Sequence, residues 1–284
     1  MSKLLRADFT RLMKTKIFWI CIAVMAGYAP VLAVCIYEGM KRSGGAAGFD
    51  QYFFSACGLT GYIPIAGLLM AAFCSVFIGS DFSDGTIRNK LVSGCSRNAI
   101  YLSHLITCAA AGICMLAAYW LPALAAGMPF LGTFRMEGWI VFRMILAGIL
   151  AIAAYAAVFT MMGMMIQNKT TTAILSLIGV IFVMFTVLFL ISRINEPAFI
   201  DQVIYDINQI GSPESALTVP NPNYLTPAQR AAAQFVVDLL PTGQSLQIGS
   251  AQVRNLWRLP LYALGVIAVT GFSGICVFRK KDLK

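Results

Sequence analysis

Charged residues are scarce in this chain: Asp, Glu, Lys and Arg together make 12% of 284 residues, about half the share found in a soluble domain. Hydrophobic types make 59%, and the mean hydropathy is +0.77. Several apolar runs reach the roughly 20 residues that cross a bilayer. That pattern excludes a soluble globular fold and identifies an integral membrane protein.

Other absences narrow the chemistry. There is no GxxxxGK[ST] loop to cradle phosphates, so any ATP must be hydrolysed by a partner. No HExxH and no buried pair of aspartates lies in an apolar run, which removes intramembrane protease chemistry. The runs hold almost no ionisable groups apart from His104 near the start of the third and Arg143 near the start of the fourth. Ion-coupled carriers place carboxylates or broken helices at mid-membrane to ligand the coupling ion, and neither is present. His104 is the only histidine, and one turn into its span it is expected to snorkel toward the interface. The cysteines Cys21, Cys35, Cys57, Cys74, Cys95, Cys108, Cys114 and Cys276 form no CxxC pair and have no histidine close in sequence. They read as small packing residues, not metal ligands. Cys35 and Cys57 fall near the same surface and leave one disulfide open. No cofactor or metal is expected in the chain itself.

What is present is six apolar segments, at about 17–37, 58–79, 99–127, 139–166, 171–191 and 259–278, each long enough for a membrane-spanning helix. Six spans place both termini on one side. That side carries Lys3, Arg6, Arg11, Lys14, Lys16, Arg88, Lys90, Arg97, Lys169, Arg279, Lys280, Lys281 and Lys284, and with them the whole excess of positive charge. By the positive-inside rule it is cytoplasmic, so the expected location is the cell membrane, multi-pass, with both termini inside. The basicity is thus explained by topology and anionic lipid, without nucleic acid. The resulting division is a cytoplasmic interfacial helix at 1–16, five spans at 17–191 with a cytoplasmic loop at 80–98, an outer segment at 192–258, a sixth span at 259–278 and a tail at 279–284.

Within the first sixteen residues Leu5, Phe9, Leu12, Met13 and Ile17 recur at helical spacing, flanked by Lys3, Arg6, Lys14 and Lys16. This predicts an amphipathic helix on the inner leaflet. The outer segment, 192–258, begins proline-rich and turn-rich, and its VPNPNYLTP run reads as extended. Thr226 with Pro227 predicts the start of a helix running to Pro241, and a second helix is predicted over Gln244 to Trp257. Together they predict a small ordered helical cap.

The longest polar run in the first two thirds of the chain is DFSDGTIRNKLVSGCSRNAIY, Asp81 to Tyr101. Ser83 or Asp84 is placed to cap a two-turn helix over GTIRNKL, with Ile87 and Leu91 on one face and Gly94 at its end. At 1.5 Å per residue such a helix is about 10 Å long and spans nothing. It is a surface knob, suited to passing a push from a soluble partner into the spans, or else an ordinary capped loop.

The run FIGSDFSDGTIRNKLVSGCSRNAIYLSHLI resembles the region after the second span in membrane subunits of type-2 ABC exporters. The likeness is to small bacterial permeases linked to antibiotic-peptide export and self-protection. Asp81, Phe82, Gly85, Thr86, Ile87, Arg88, Ser96 and Arg97 match that pattern in order. The basic N-terminal helix, the LLPTGQ run (Leu239 to Gln244) and the terminal GICVFRKKDLK agree, while His104 stands where many relatives have lysine. The resemblance implies an all-α membrane protein whose short coupling helix docks on cytoplasmic ATP-binding cassette ATPase subunits, which hold the ATP and Mg. It implies pairing with a second copy or a related permease. The coupling residues it implies are Asp81, Phe82, Asp84, Gly85, Thr86, Ile87, Arg88, Asn89, Ser96 and Arg97. The expected function is export of an amphipathic peptide, antibiotic or lipid-like compound. The alternative is a sensor or immunity subunit that binds such a ligand and moves nothing, and a third is an ATP-independent carrier.

Overall fold

A computed structural model describes residues 1–43, 48–55, 57, 64–203 and 216–281. In chain order come α1 (Ser2–Lys14), α2 (Lys16–Ser43), α3 (Phe49–Phe54), α4 (Ile65–Ser83), α5 (Thr86–Val92), α6 (Arg97–Leu131), α7 (Gly138–Ile166) and α8 (Lys169–Asn195). Strands β1 (Phe199–Val203) and β2 (Ala216–Pro220) follow, then α9 (Pro227–Leu239), α10 (Pro241–Gly249) and α11 (Leu259–Lys280). Helices α2, α4, α6, α7, α8 and α11 are long and apolar enough to cross a membrane, and they stand where the six apolar runs predicted them. The protein is therefore an all-α multi-pass membrane protein. The expected first residues of the second span, 58–63, lie outside the described residues, as do Asp206, Pro213, Glu214, Asp282 and Lys284.

Three spans form the centre. Helix α7 packs against α4, α6 and α11, while α2 lies on α6 and α8 on α4. The central α4, α6 and α7 are more than half buried, whereas α2, α8 and α11 leave most of their surface outward. On α8 the outward side chains include Ile178, Phe182, Phe185 and Phe189, an apolar face that suits lipid and not water. Small residues set the closest approaches, as lipid-embedded helices require. A Cβ at Gly67 would lie 2.7 Å from the Tyr155 ring, and one at Gly112 would lie 2.8 Å from Ile152. On the outer helices Gly27, Gly179 and Gly265 face open space, whereas Gly274 of α11 lies directly against the Tyr101 ring.

At the end of the bundle holding both termini, α1 meets the rest of the fold along Leu4, Asp8 and Leu12. The apolar stripe predicted from the sequence meets that face at Leu12, with Leu5, Phe9 and Ile17 half-buried beside it and Met13 exposed. The buried strip has a carboxylate at its middle. Thr15, in extended conformation, ends α1, and α2 starts at once with Lys16.

At the opposite end, α3 is buried against α6, with Asp50 accepting from the Arg135 and Met136 amides. All eight cysteines are free, Cys35 and Cys57 included. The VPNPNYLTP run is extended through β2, which pairs antiparallel with β1, and then turns at Asn221. Helix α9 opens on the predicted Thr226 cap, completed by the reciprocal bond from Gln229. The second helix of this segment is Pro241–Gly249, not Gln244–Trp257. Pro241 supplies a preset first helical residue, and Ala251, at φ 55°, turns the chain out of the helix eight residues before Leu259 begins the last span. Residues Thr242 to Gly249 are buried. Tyr155, near the middle of α7, donates to Thr242 Oγ1 at 3.0 Å, so α10 is wedged into the bundle instead of standing clear of it.

Candidate functional site

The polar run after α4 folds as two joined pieces. Helix α4 carries on through Ser83 with Asp84 as its C-cap, so neither Ser83 nor Asp84 caps the next helix. Gly85 takes the N-cap position at φ 67°, a left-handed turn that suits glycine, and no side chain caps α5. The predicted two turns are present as Thr86–Val92, ended by Gly94 at φ 86°, and Ser96 caps α6 by accepting from the Ala99 amide.

Helix α5 has two unlike faces. Ile87 is buried, and Leu91 and Lys90 are largely covered. Arg88 and Asn89 are exposed, as are Asp84 before the helix and Ser96 after it, and Val92 is 85% exposed. Phe82, Gly85 and Thr86 are half-buried between the two faces.

The covered face rests on a cluster of buried charge. Lys90 Nζ bridges two carboxylates, 2.7 Å from Asp8 Oδ1 and 3.1 Å from Asp81 Oδ2. Both aspartates are about 1% exposed. Arg11 forms an ion pair with Asp81, donates to the Phe77 carbonyl and to Ser80 Oγ, and lies over the Phe77 ring. Ser103 donates to Asp8 Oδ2. His104, fully buried, places Nε2 3.0 Å from Asp81 Oδ2, off the line a hydrogen bond needs, and its Nδ1 has no partner. Four elements thus converge: α1 through Asp8 and Arg11, α4 through Asp81, α5 through Lys90 and α6 through Ser103 and His104. Two carboxylates meet two cations, so the formal charges cancel, as buried ions require. Asp8, Asp81 and His104 also form a donor set of the kind that holds a metal ion. Lys90 already bridges the two carboxylates, so the chain's own ammonium fills the cation's place.

Several sequence expectations change here. His104 does not snorkel; it is enclosed. Asp81, expected among the coupling residues, is turned inward and wholly engaged. Arg97 is engaged as well: its guanidinium donates to the carbonyls of Phe278, Arg279 and Lys281 at 3.1, 3.0 and 2.6 Å, closing the C-terminus of α11. Sequence reasoning missed Asp8, Arg11, Lys90 and Val92. One signal for Asp8 was available, since an acid midway between Leu4 and Leu12 at i, i+4, i+8 interrupts a buried helical strip.

A cavity of about 940 Å³ lies at the opposite end, between the last turns of α8, the helices α9 and α10, and Gln51 of α3. Its wall carries side-chain amides, among them Asn195, Gln234, Gln247 and Gln252, and Arg254 is its single charged residue among those described. Asp238 behind the wall accepts from Gln234 at 2.6 Å and Gln247 at 2.9 Å, fixing how these amides sit.

A family model described as ABC-2 family transporter protein matches residues 4–196, more than half of the chain. The matched region contains α1, the first five spans, α5 and every member of the charge cluster. No curated protein matches the chain.

Proposed function

The chain belongs to the ABC-2 transporter family as a membrane subunit of an ABC transporter, and on that premise we propose that it exports an amphipathic peptide, antibiotic or lipid-like compound. The ATPase works from a separate subunit docked on α5. One observation carries the docking assignment: α5 is fixed to the bundle on one side by Ile87, Lys90 and Leu91, and offers Arg88, Asn89 and Val92 unpartnered on the other. A helix so held passes displacement on instead of absorbing it. Arg88 supplies a forked cation for a carboxylate or carbonyl on the ATPase. In this reading the end with both termini faces the cytoplasm, in line with the distribution of lysine and arginine. A second copy or a related permease completes the translocation path.

The class of cargo rests on two features. Among the described residues the spans carry no buried carboxylate except Asp81, in the last turn of α4, which disfavours ions and sugars. The outer cavity presents amides that both donate and accept, alongside apolar Leu188 and Ile191, a wall matched to a molecule with both characters.

The test is co-purification in mild detergent with the cassette ATPase, comparing wild type with Arg88→Ala. The variant should insert and fold as wild type but lose transport and the substrate-stimulated part of ATP hydrolysis. Undiminished export by Arg88→Ala would sink the docking assignment. An ATPase rate that ignores substrate in the wild type would favour a sensor or immunity subunit over an exporter.

A further inference from the structure

Arg88 does not stand on an isolated helix. Beside α5 a cleft of about 250 Å³ opens, with Asp81, Phe82 and Ser83 of α4, Gly85, Ile87 and Arg88, and Gln167 from the turn between α7 and α8 on its wall. Gln167 is the C-cap of α7, at φ 61°, and its backbone N–H donates to the Gly163 carbonyl. The loop after one span and the turn after another therefore share one small opening.

Of the polar side chains in that opening, the Ser83 hydroxyl already donates to the Ser80 carbonyl at 3.1 Å. Asp81 already pairs with Arg11 and Lys90 and lies against His104, so its oxygens are taken. Among the described residues Gln167 Nε2, shielded from solvent, has no acceptor, and Arg88 has no hydrogen bond or ion pair. What remains is a guanidinium at the rim and an amide donor behind it. A shielded donor without an acceptor is a costly thing to keep. An opening of this size admits one side chain, not a folded element. The guanidinium is a cation and the shielded amide N–H on the same wall is a donor, so an anion is the occupant that answers both.

We propose that this cleft is a two-donor socket for a single Asp or Glu side chain of the ATPase subunit, its carboxylate held by Arg88 and by Gln167 together. The proposal rests on the reading of α5 as the docking helix and adds a second anchoring segment to it. One partner residue seated there would be tied to α5 and to the end of α7 at once, and α4 packs directly on both of these helices. Motion of the ATPase would then reach the centre of the bundle through two routes instead of one.

The experiment measures binding of the full-length chain in mild detergent to the cassette ATPase co-expressed with it, for wild type, Gln167→Gly, Gln167→Glu, Arg88→Ala and Arg88→Ala with Gln167→Gly. Glycine suits φ 61° and the lost amide N–H has no partner among the described residues, so Gln167→Gly should elute and unfold as wild type does. It should weaken binding about three- to tenfold, the worth of one hydrogen bond. Gln167→Glu, setting acid against acid, should weaken it more. Losses in the double variant should fall short of the product of the single losses, because both groups hold one carboxylate. If both Gln167 variants bind like wild type while Arg88→Ala is weakened, the socket is wrong and α5 docking stands. If Arg88→Ala also binds undiminished, the docking reading goes with it.

Discussion

Lys90→Met tests whether the buried charge cluster is a structural joint. Lys90 Nζ is the only cation on Asp8 among the described residues, and without it Asp8, 1% exposed, keeps only the Ser103 hydroxyl. Asp81 is less affected, since Arg11 still pairs with it and His104 still lies beside it. Removing one partner of a buried pair leaves an uncompensated charge, at a cost of about 3–5 kcal/mol. Methionine keeps most of the lysine stem, so packing changes little and the loss is electrostatic. The cost should fall first on α1, which is fastened here by Asp8 and Arg11. Trp19 reports on that junction, because its indole N–H donates to the Met13 carbonyl at 2.8 Å in the last turn of α1. Thermal unfolding of the detergent-solubilised chain, followed by tryptophan fluorescence, should show an early transition in Lys90→Met. Asp8→Asn together with Lys90→Met removes both halves and should recover most of the lost stability, because swapping a buried pair for neutral groups is often nearly neutral. Wild-type stability in the single variant, or no recovery in the double one, would refute the argument.

Arg97→Met should free the C-terminus of α11 from its three carbonyl bonds, costing about 2 kcal/mol by the usual worth of charged hydrogen bonds; faster tryptic cleavage at Arg279 to Lys281 reads it out, with the cap segment unchanged. Gly79→Ala places a Cβ against the backbone of Lys169, prising α4 from α8 and lowering unfolding stability by roughly 1–3 kcal/mol. Thr226→Ala removes a complete capping box and should cost about 1 kcal/mol, seen as faster hydrogen exchange confined to the first turn of α9.

The spans were legible because burial in lipid demands long apolar runs, and nothing else in the chain imitates them. The α5 helix was legible too, since Ile87, Leu91 and Gly94 fix its inner face and its end by local spacing alone. The cap of α9 could be read from Thr226, Pro227 and Gln229 for the same reason. The charge cluster could not be read as a whole: Asp8 was marked by its place between Leu4 and Leu12, but Asp81 and Lys90 lie far from it in sequence and sit where a solvated charge is ordinary. The bonds of Arg97 were not legible either, because only the return of α11 to that end supplies the carbonyls it closes. Local chemistry is written locally, while these contacts depend on which helix ends come together.

That dependence bears on why the joint is ionic. Apolar faces slide past one another at little cost while they stay buried, so a purely apolar seat under α5 would let a seven-residue helix shift and lose the motion it receives. Lys90 removes that freedom. Any slide that separates Nζ from Asp8 or Asp81 exposes a charge to a medium that cannot solvate it. Asp81 carries the same restraint into α4, and Arg11 carries it into α1. The buried ions thus contribute little net stability but make α1, α5 and the ends of α4 and α6 keep one mutual position. In the proposed docking, a push on Arg88 or Val92 would then move the group together, and the force would arrive at α4, which lies against α7 and α8 in the middle of the bundle.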